Sequence, residues 1–423
     1  MRSALLLLMA AGAMAVTACQ PLPYDHEDEL PEVVALEDGS AERAEMNARV
    51  YDVVMRTVVR NFYDRTFNDV DFEAEIAARR AAVIASPDEE TFYAGLDETL
   101  ALLNDGHTHV VSPTDNLFQK RRRLETAPTF GMVETTVRSR SSGEVTSFVS
   151  KVREGSTAEE AGVRPGWKIL TIDGRAWGAP QEWGETVDGL TFVVRFEDAE
   201  GRIHTRTMES RPMPREIGTM QRRPDGVLVL QFSEFDDASA DWFEERLREA
   251  EADPPVAIVL DLRGNVGGQV TAGERIVGGL FREPVVFARR QEFFGEAVNR
   301  SRRMPAVWDG PVAVVQSGFS GSMAEVFSAT IREQRRGLVV GQKSNGSVVF
   351  MVSFKLPDGG QLSVGILEVR TGAGAILEKR GVEPDIFFEP TLDDIRHGRD
   401  TMLEAGVRAA LAGQRTAEAA PAR

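Results

Sequence analysis

VLVLQF at 227–232, VAIVLDL at 256–262 and PVAVVQS at 311–317 are three short, nearly unbroken apolar runs. A half-buried strand alternates apolar and polar residues, whereas runs of this kind suit strands covered on both faces. Between the first two lies a helical pattern from about Ala238 to Ala252, and the third leads into a helix beginning near Ser322. Strand and helix alternating in this way predict an α/β domain with a largely buried sheet. Working outward, residues 128–210 carry short β-like runs (Phe148 to Val152, Lys168 to Ile172, Thr191 to Phe196) separated by glycine and charged turns. Further upstream, Val50, Val54, Val58 and Phe62 recur every four residues and line one helical face, and a second amphipathic stretch covers Phe72 to Ile84. A third helix is announced by Ser86-Pro87-Asp88-Glu89, read as N-cap, first-turn proline and capping-box glutamate. It continues through Leu96, Leu100 and Leu103, with Gly106 as its stop, and delivers the segment Asp105-Gly106-His107-Thr108-His109.

With 423 residues, 42% of them hydrophobic, the chain can build two or three cored domains. Its net charge of −17 argues against nucleic acid or an anionic membrane surface as a main partner. The run Lys120 to Arg123 is too short to change that and reads as a solvated segment between domains. At the N-terminus Arg2 precedes an apolar run from Ala4 to Val16, the length of a signal-peptide core. It ends in Val16-Thr17-Ala18-Cys19, which resembles the bacterial lipobox. That resemblance implies a signal peptide over 1–19, lipidation of Cys19 and a lipid anchor in the cell envelope. The mature chain would face the periplasm, and Gln20 after the cysteine favours the outer membrane. Cys19 is the sole cysteine, so no intramolecular disulfide can form. The acidic, proline-containing stretch that follows reads as a flexible tether over 20–43, and the residues from about Gln414 read as disordered.

Three further sets of residues carry a resemblance. The first runs from Val149 to Gly174 and contains Gly155-Ser156-Thr157-Ala158, Pro165-Gly166-Trp167 and Ile172-Asp173-Gly174. It is similar to the PDZ pattern of bacterial proteases, with Trp167 in place of the usual Asp. The second is Leu260-Asp261-Leu262-Arg263-Gly264-Asn265-Val266-Gly267-Gly268. The third is Ser320-Gly321-Ser322-Met323-Ala324-Glu325, followed by Val340-Gly341-Gln342-Lys343 and later Gly381-Val382-Glu383-Pro384-Asp385. In order and spacing these resemble the carboxyl-terminal processing, or tail-specific, serine peptidases. The resemblance implies a helical domain over 44–127, a PDZ domain over 128–212 and a crotonase/ClpP-like ββα catalytic domain over 213–392. A C-terminal helix and tail would occupy 393–423.

On that resemblance, Ser322 is the nucleophile, opening a helix whose N-terminus favours an alkoxide. Met323 N–H and a donor from Gly267 or Gly268 would form the oxyanion hole. Ser320 is the better candidate for capping the helix and the runner-up nucleophile. Thr129-Phe130-Gly131-Met132 falls where the PDZ carboxylate-binding loop would lie, so that substrates are bound by their C-terminal tails.

The chain departs from most of the family at the base. Their catalytic lysine lies in a Phe-Gly-Lys-Gly run, where this chain reads Gln342-Lys343-Ser344-Asn345-Gly346-Ser347-Val348. Register puts Ser347 at the lysine position and Met351 at that of a following glutamine. The tricorn branch instead uses Ser, His and Glu, and both partners have counterparts here. His107 lies in a matching motif, with His109 as fallback, and Glu378 stands three residues before Gly381. His107 would take the serine proton and Glu378 would orient the imidazole. Two alternatives stand beside this: a pseudoprotease that keeps only peptide binding, and a Ser–Lys enzyme using Lys343 or Lys355. No phosphate-binding loop or convincing zinc spacing is present, so no cofactor and no metal are expected. An adaptor protein that presents substrates is a conceivable partner.

Overall fold

The computed structural model describes residues 29–122, 124, 126–138, 145–177, 188–292 and 295–418, so Cys19 and the signal segment lie outside the described residues. The described residues divide into two compact units, one of those within 1–120 and 351–366, the other of those within 121–350 and 367–423.

The first unit is mainly helical. Helices Ala41–Asn61, Phe72–Ile84 and Glu89–Leu100 are capped by Ser40, Asp71 and Asp88, whose side chains accept from Arg43, Ala74 and Thr91 N–H. The third cap is therefore Asp88 and not Ser86, and the stop is Asn104 in the left-handed region (φ 47°), ahead of Gly106. A short polar side chain tolerates that conformation and can stand in for glycine. Val50, Val54, Val58 and Phe62 do face the core, meeting Phe92, Leu96, Leu100, Leu362 and Val364. A fourth helix, Pro113–Arg122, follows the strand His109–Val111. Its start is marked by Ser112 Oγ, which accepts from Asp115 N–H at 3.1 Å. This helix overturns the reading of Lys120 as a solvated linker residue. Lys120 is buried, and its Nζ donates to the Glu29 carbonyl at 2.7 Å. Within the expected tether, Val34 N–H donates to Asp358 O at 3.0 Å and Arg43 to Leu36 O at 2.7 Å, so the chain is bound from Glu29 on. Strand His109–Val111 pairs antiparallel with residues 361–363 of the long strand Gln361–Thr371.

The second unit contains two larger sheets. The first follows the order Met132–Arg138, Val145–Val152, Lys168–Ile172, Thr191–Glu197, Ile203–Glu209, antiparallel throughout, with Met132–Arg138 on an edge. Phe130, Val149, Trp167, Ile169, Val194 and Phe196 fill its core. Trp167, the residue that departs from the PDZ pattern, stacks on His204 with ring centroids 4.2 Å apart.

The second sheet has the order Gly218–Arg222, Val227–Phe232, Ala257–Asp261, Val312–Gln316, Leu338–Gly341, Ile386–Phe387, parallel except for its first strand. Leu228, Leu230 and Leu260 pack on one side with Phe243, Ile276 and Phe327 of helices Asp237–Ala252, Val270–Gly278 and Met323–Glu333. Val227, Val229, Val259, Val315 and Val340 pack on the other with Met402, Ala405 and Ala409 of helix Thr401–Glu418. Both faces are covered, which is why the three apolar runs do not alternate. The last helix continues to Glu418, past Gln414, where disorder was expected. Thus α/β architecture holds, and the sheet sets the elements that carry the site.

Candidate active site

The second unit presents a strained serine. Ser322 is the N-cap of helix Met323–Glu333 and has φ 52°, ψ −118°, a conformation that costs a non-glycine residue of order 1–3 kcal/mol. Such an outlier persists only where its surroundings over-determine it. Here Ser322 N–H donates both to the Ser347 carbonyl at 2.9 Å and to Glu325 Oε2 at 3.0 Å. The result is a tight turn that leaves the Ser322 side chain half-buried.

Glu325 is the anchor of that turn. It is fully buried, and its carboxylate accepts four donors: Ser344 Oγ at 2.6 Å, Gly346 N–H at 2.7 Å, Ser347 N–H at 2.8 Å and Ser322 N–H. A buried carboxylate is tolerated only when its lone pairs are filled in this way. Register places Ser347 at the family's lysine position, and the segment around it serves here as backbone scaffold for the serine. Lys343 Nζ instead pairs with Glu383 at 2.9 Å, and Lys355 pairs with Glu29. Glu325→Ala would remove the buried acceptor that these four donors share; a stability loss of about 3 kcal/mol or more is expected, with activity below detection. Denaturant unfolding beside a turnover assay checks this, and a wild-type midpoint would contradict it.

Ser320 corrects the reading that made it the helix cap and reserve nucleophile. It is fully buried, its Oγ donates to Leu262 O at 2.7 Å and accepts from Ser317 N–H at 3.0 Å. Both valences are spent on joining this loop to the strand end, so Ser322 takes the cap.

The glycine turn packs directly on the serine. Asn265 Nδ2 donates to Phe232 O at 3.0 Å, and its carbonyl accepts from Gly321 N–H at 3.0 Å, tying the two loops together. Gly267 (φ 104°) needs its missing Cβ, which would sit 2.5 Å from Ser322 Cβ. Its N–H is already given to Asn265 Oδ1 at 2.9 Å. Gly268 N–H and Met323 N–H donate to none of the described residues. Glu378 is held beside the same scaffold, with Oε2 accepting from Val348 N–H at 2.7 Å.

His107 belongs to the first unit, where it is buried in the turn before strand His109–Val111. Its Nδ1 lies 3.4 Å from Asp105 Oδ1, and its backbone N–H donates to that oxygen at 3.3 Å. Asp105 Oδ2 accepts from Thr108 Oγ1 at 2.6 Å, and Thr108 in turn accepts from Gly365 N–H at 3.1 Å. Burial pushes the Asp105 carboxyl up, but the bonds from His107 and Thr108 outweigh it and leave it below the usual range. His109 opens the strand that follows the turn of His107. Burial lowers its basicity, and its Nδ1 has no partner among the described residues.

In the peptide-binding candidate, Gly131 (φ 74°) donates its N–H to Thr129 Oγ1 at 3.0 Å, and Met132 opens the edge strand. The Phe130 carbonyl accepts from Ala158 N–H at 3.1 Å, so the loop is fixed on the sheet's short helix Thr157–Glu160. Among the described residues, no three His, Cys, Asp or Glu side chains of a single unit come together as metal ligands. Sequence reading missed the roles of Glu325, Asn265 and Asp105. Two of them have a short-range signal: Glu325 three residues after the N-cap, and Asp105 two residues before His107 in an Asx-turn spacing.

Comparison with known proteins comes to the same region. Residues 226–388 match the model of peptidase family S41. A carboxyl-terminal-processing protease of Picosynechococcus sp. is 23% identical over 368 residues, covering 84% of this chain and 86% of the relative. The solved photosystem II D1 C-terminal processing protease aligns with a TM-score of 0.54 at 20% identity, over 84% of this chain and 98% of that one. The tricorn protease aligns with a TM-score of 0.53 at 16% identity, over 88% of this chain but 37% of its own.

Proposed function

The chain is a serine peptidase of family S41, and from that premise we propose that it is an envelope endopeptidase that cuts proteins near their C-termini. Ser322 is the nucleophile, His107 its general base, and Glu378 the acid that orients and charge-stabilises the imidazole. The observation that carries this reading is the strained Ser322 turn with two open N–H groups beside it, Met323 and Gly268. Backbone donors fixed in advance beside the nucleophile suit a developing oxyanion. Of the two glycines, Gly268 fills the second position, because Gly267 has spent its N–H on Asn265. Gly267 contributes by having no side chain where Ser322 must sit.

In this reading residues 128–212 form a PDZ domain that adds the substrate's C-terminal tail to edge strand Met132–Arg138, with Thr129 to Met132 receiving the carboxylate. The place of that strand at the end of the sheet among the described residues and the exposed Val133 support that role. Residues 44–127 make the helical domain and 213–392 the ββα catalytic domain, followed by the C-terminal helix. Cys19 carries the lipid anchor, on the periplasmic side of the outer membrane, where an adaptor protein can present substrates.

The test is cleavage of one protein substrate bearing either a free or an amidated C-terminus, with fragments mapped by mass spectrometry. Cuts near the C-terminus that fall at least tenfold on amidation, and on Gly131→Val, are expected; Cys19→Ala releases the chain from membranes. Equal cutting of both substrates at scattered sites would exclude tail recognition.

A further inference from the structure

The turn that carries His107 holds a second carboxylate, and we infer that Asp105 is the positioning residue that fixes the His107 imidazole and its charge. The inference rests on His107 being the base. Within the sequence Asp105-Gly106-His107-Thr108, one carboxylate grips the residue it serves at two points. Oδ1 accepts the His107 backbone N–H at 3.3 Å and stands 3.4 Å from Nδ1 of the same residue. The latter separation is long for a hydrogen bond, so charge rather than a tight bond is what Asp105 supplies in the resting state. Catalytic hydrogen bonds of this kind shorten when the imidazolium forms.

The acid is itself locked. Its side chain is fully buried, Thr108 Oγ1 donates to Oδ2 at 2.6 Å, and Gly365 N–H donates to Thr108 at 3.1 Å. Strand Gln361–Thr371 thereby sets Thr108, Thr108 sets Asp105, and Asp105 sets the ring. In the proposed triad Nε2 receives the serine proton while Nδ1 faces Asp105. Glu378 then adds a second negative charge instead of acting as the sole orienting acid. Among the described residues of the first unit, His109 interacts electrostatically with both members of this pair, and Asp97 of helix Glu89–Leu100 with His109.

The experiment measures the rate at which a fluorophosphonate labels the full chain from pH 4 to 9, in wild type, Asp105→Asn, Asp105→Glu and His107→Ala. Neutral imidazole is the base, so labelling rises as His107 loses its proton. Removing the Asp105 charge makes that proton easier to lose, and the acid limb should move down by about one unit. The plateau should fall on the order of tenfold or more, because the imidazolium loses its stabilising charge. Asp105→Glu restores the charge and should bring the acid limb back. A wild-type limb and plateau in folded Asp105→Asn, judged by thermal midpoint, would overturn the inference and leave Asp105 a turn former. Normal labelling of His107→Ala would instead sink the base assignment, and this inference with it.

Discussion

Ser322→Ala is expected to lower kcat by about 10⁶-fold and to leave the fold intact. The two halves of that expectation have separate causes. Chemistry is lost because the hydroxyl that forms the acyl bond is gone, and what remains comes from the oxyanion donors and binding. The fold is kept because the Ser322 backbone itself ties the turn to Ser347 O and the Glu325 carboxylate. Neighbouring Ser320 cannot substitute, since its Oγ is buried between Leu262 O and Ser317 N–H. Turnover of a protein substrate and a melting curve on the same sample check both halves. Substantial turnover by the variant would remove Ser322 from the mechanism.

His107→Ala is expected to cost nearly as much, because nucleophile and base act as a unit and either loss disables the pair. A serine hydroxyl is a weak nucleophile without a base. The two lysines that sequence offered in its place are engaged elsewhere, Lys343 with Glu383 and Lys355 with Glu29. Lys343→Ala should therefore leave turnover within about twofold of wild type, a small change for an exposed residue. Loss of turnover with Lys343→Ala but not with His107→Ala would favour a Ser–Lys enzyme.

Much of the α/β domain was legible because its strands are buried on both faces. VLVLQF, VAIVLDL and PVAVVQS announce themselves by unbroken apolar character, and their neighbours pack on Leu228 and Leu230 on one side and Val227 and Val229 on the other. The helix faces of the first unit were legible for the same reason, as Val50 to Phe62 shows. Helix ends were read less well: Ser86 and Asp88 are both good caps, and only the observed Asp88–Thr91 bond separates them. The fourth helix escaped notice because Pro113–Arg122 is almost wholly polar, and Lys120 is buried by bonding to a distant carbonyl.

The site was legible where a motif names a residue type and opaque where its backbone does the work. Ser322, His107 and Glu378 could be named as candidates from sequence. That Glu325 gathers four donors from two separate segments depends on contacts that no local spacing reveals. That the Gly267 N–H is taken by Asn265 likewise could not be read from the sequence.

The account stands most directly on what makes Ser322 reactive, and the measurement is the rate of covalent labelling of that serine by a fluorophosphonate at pH 8. Wild type and Lys343→Ala should label at similar rates, Ser322→Ala not at all, and His107→Ala at least a hundredfold more slowly. Labelling of His107→Ala at the wild-type rate would contradict the account, since a serine that reacts without its histidine draws on another base.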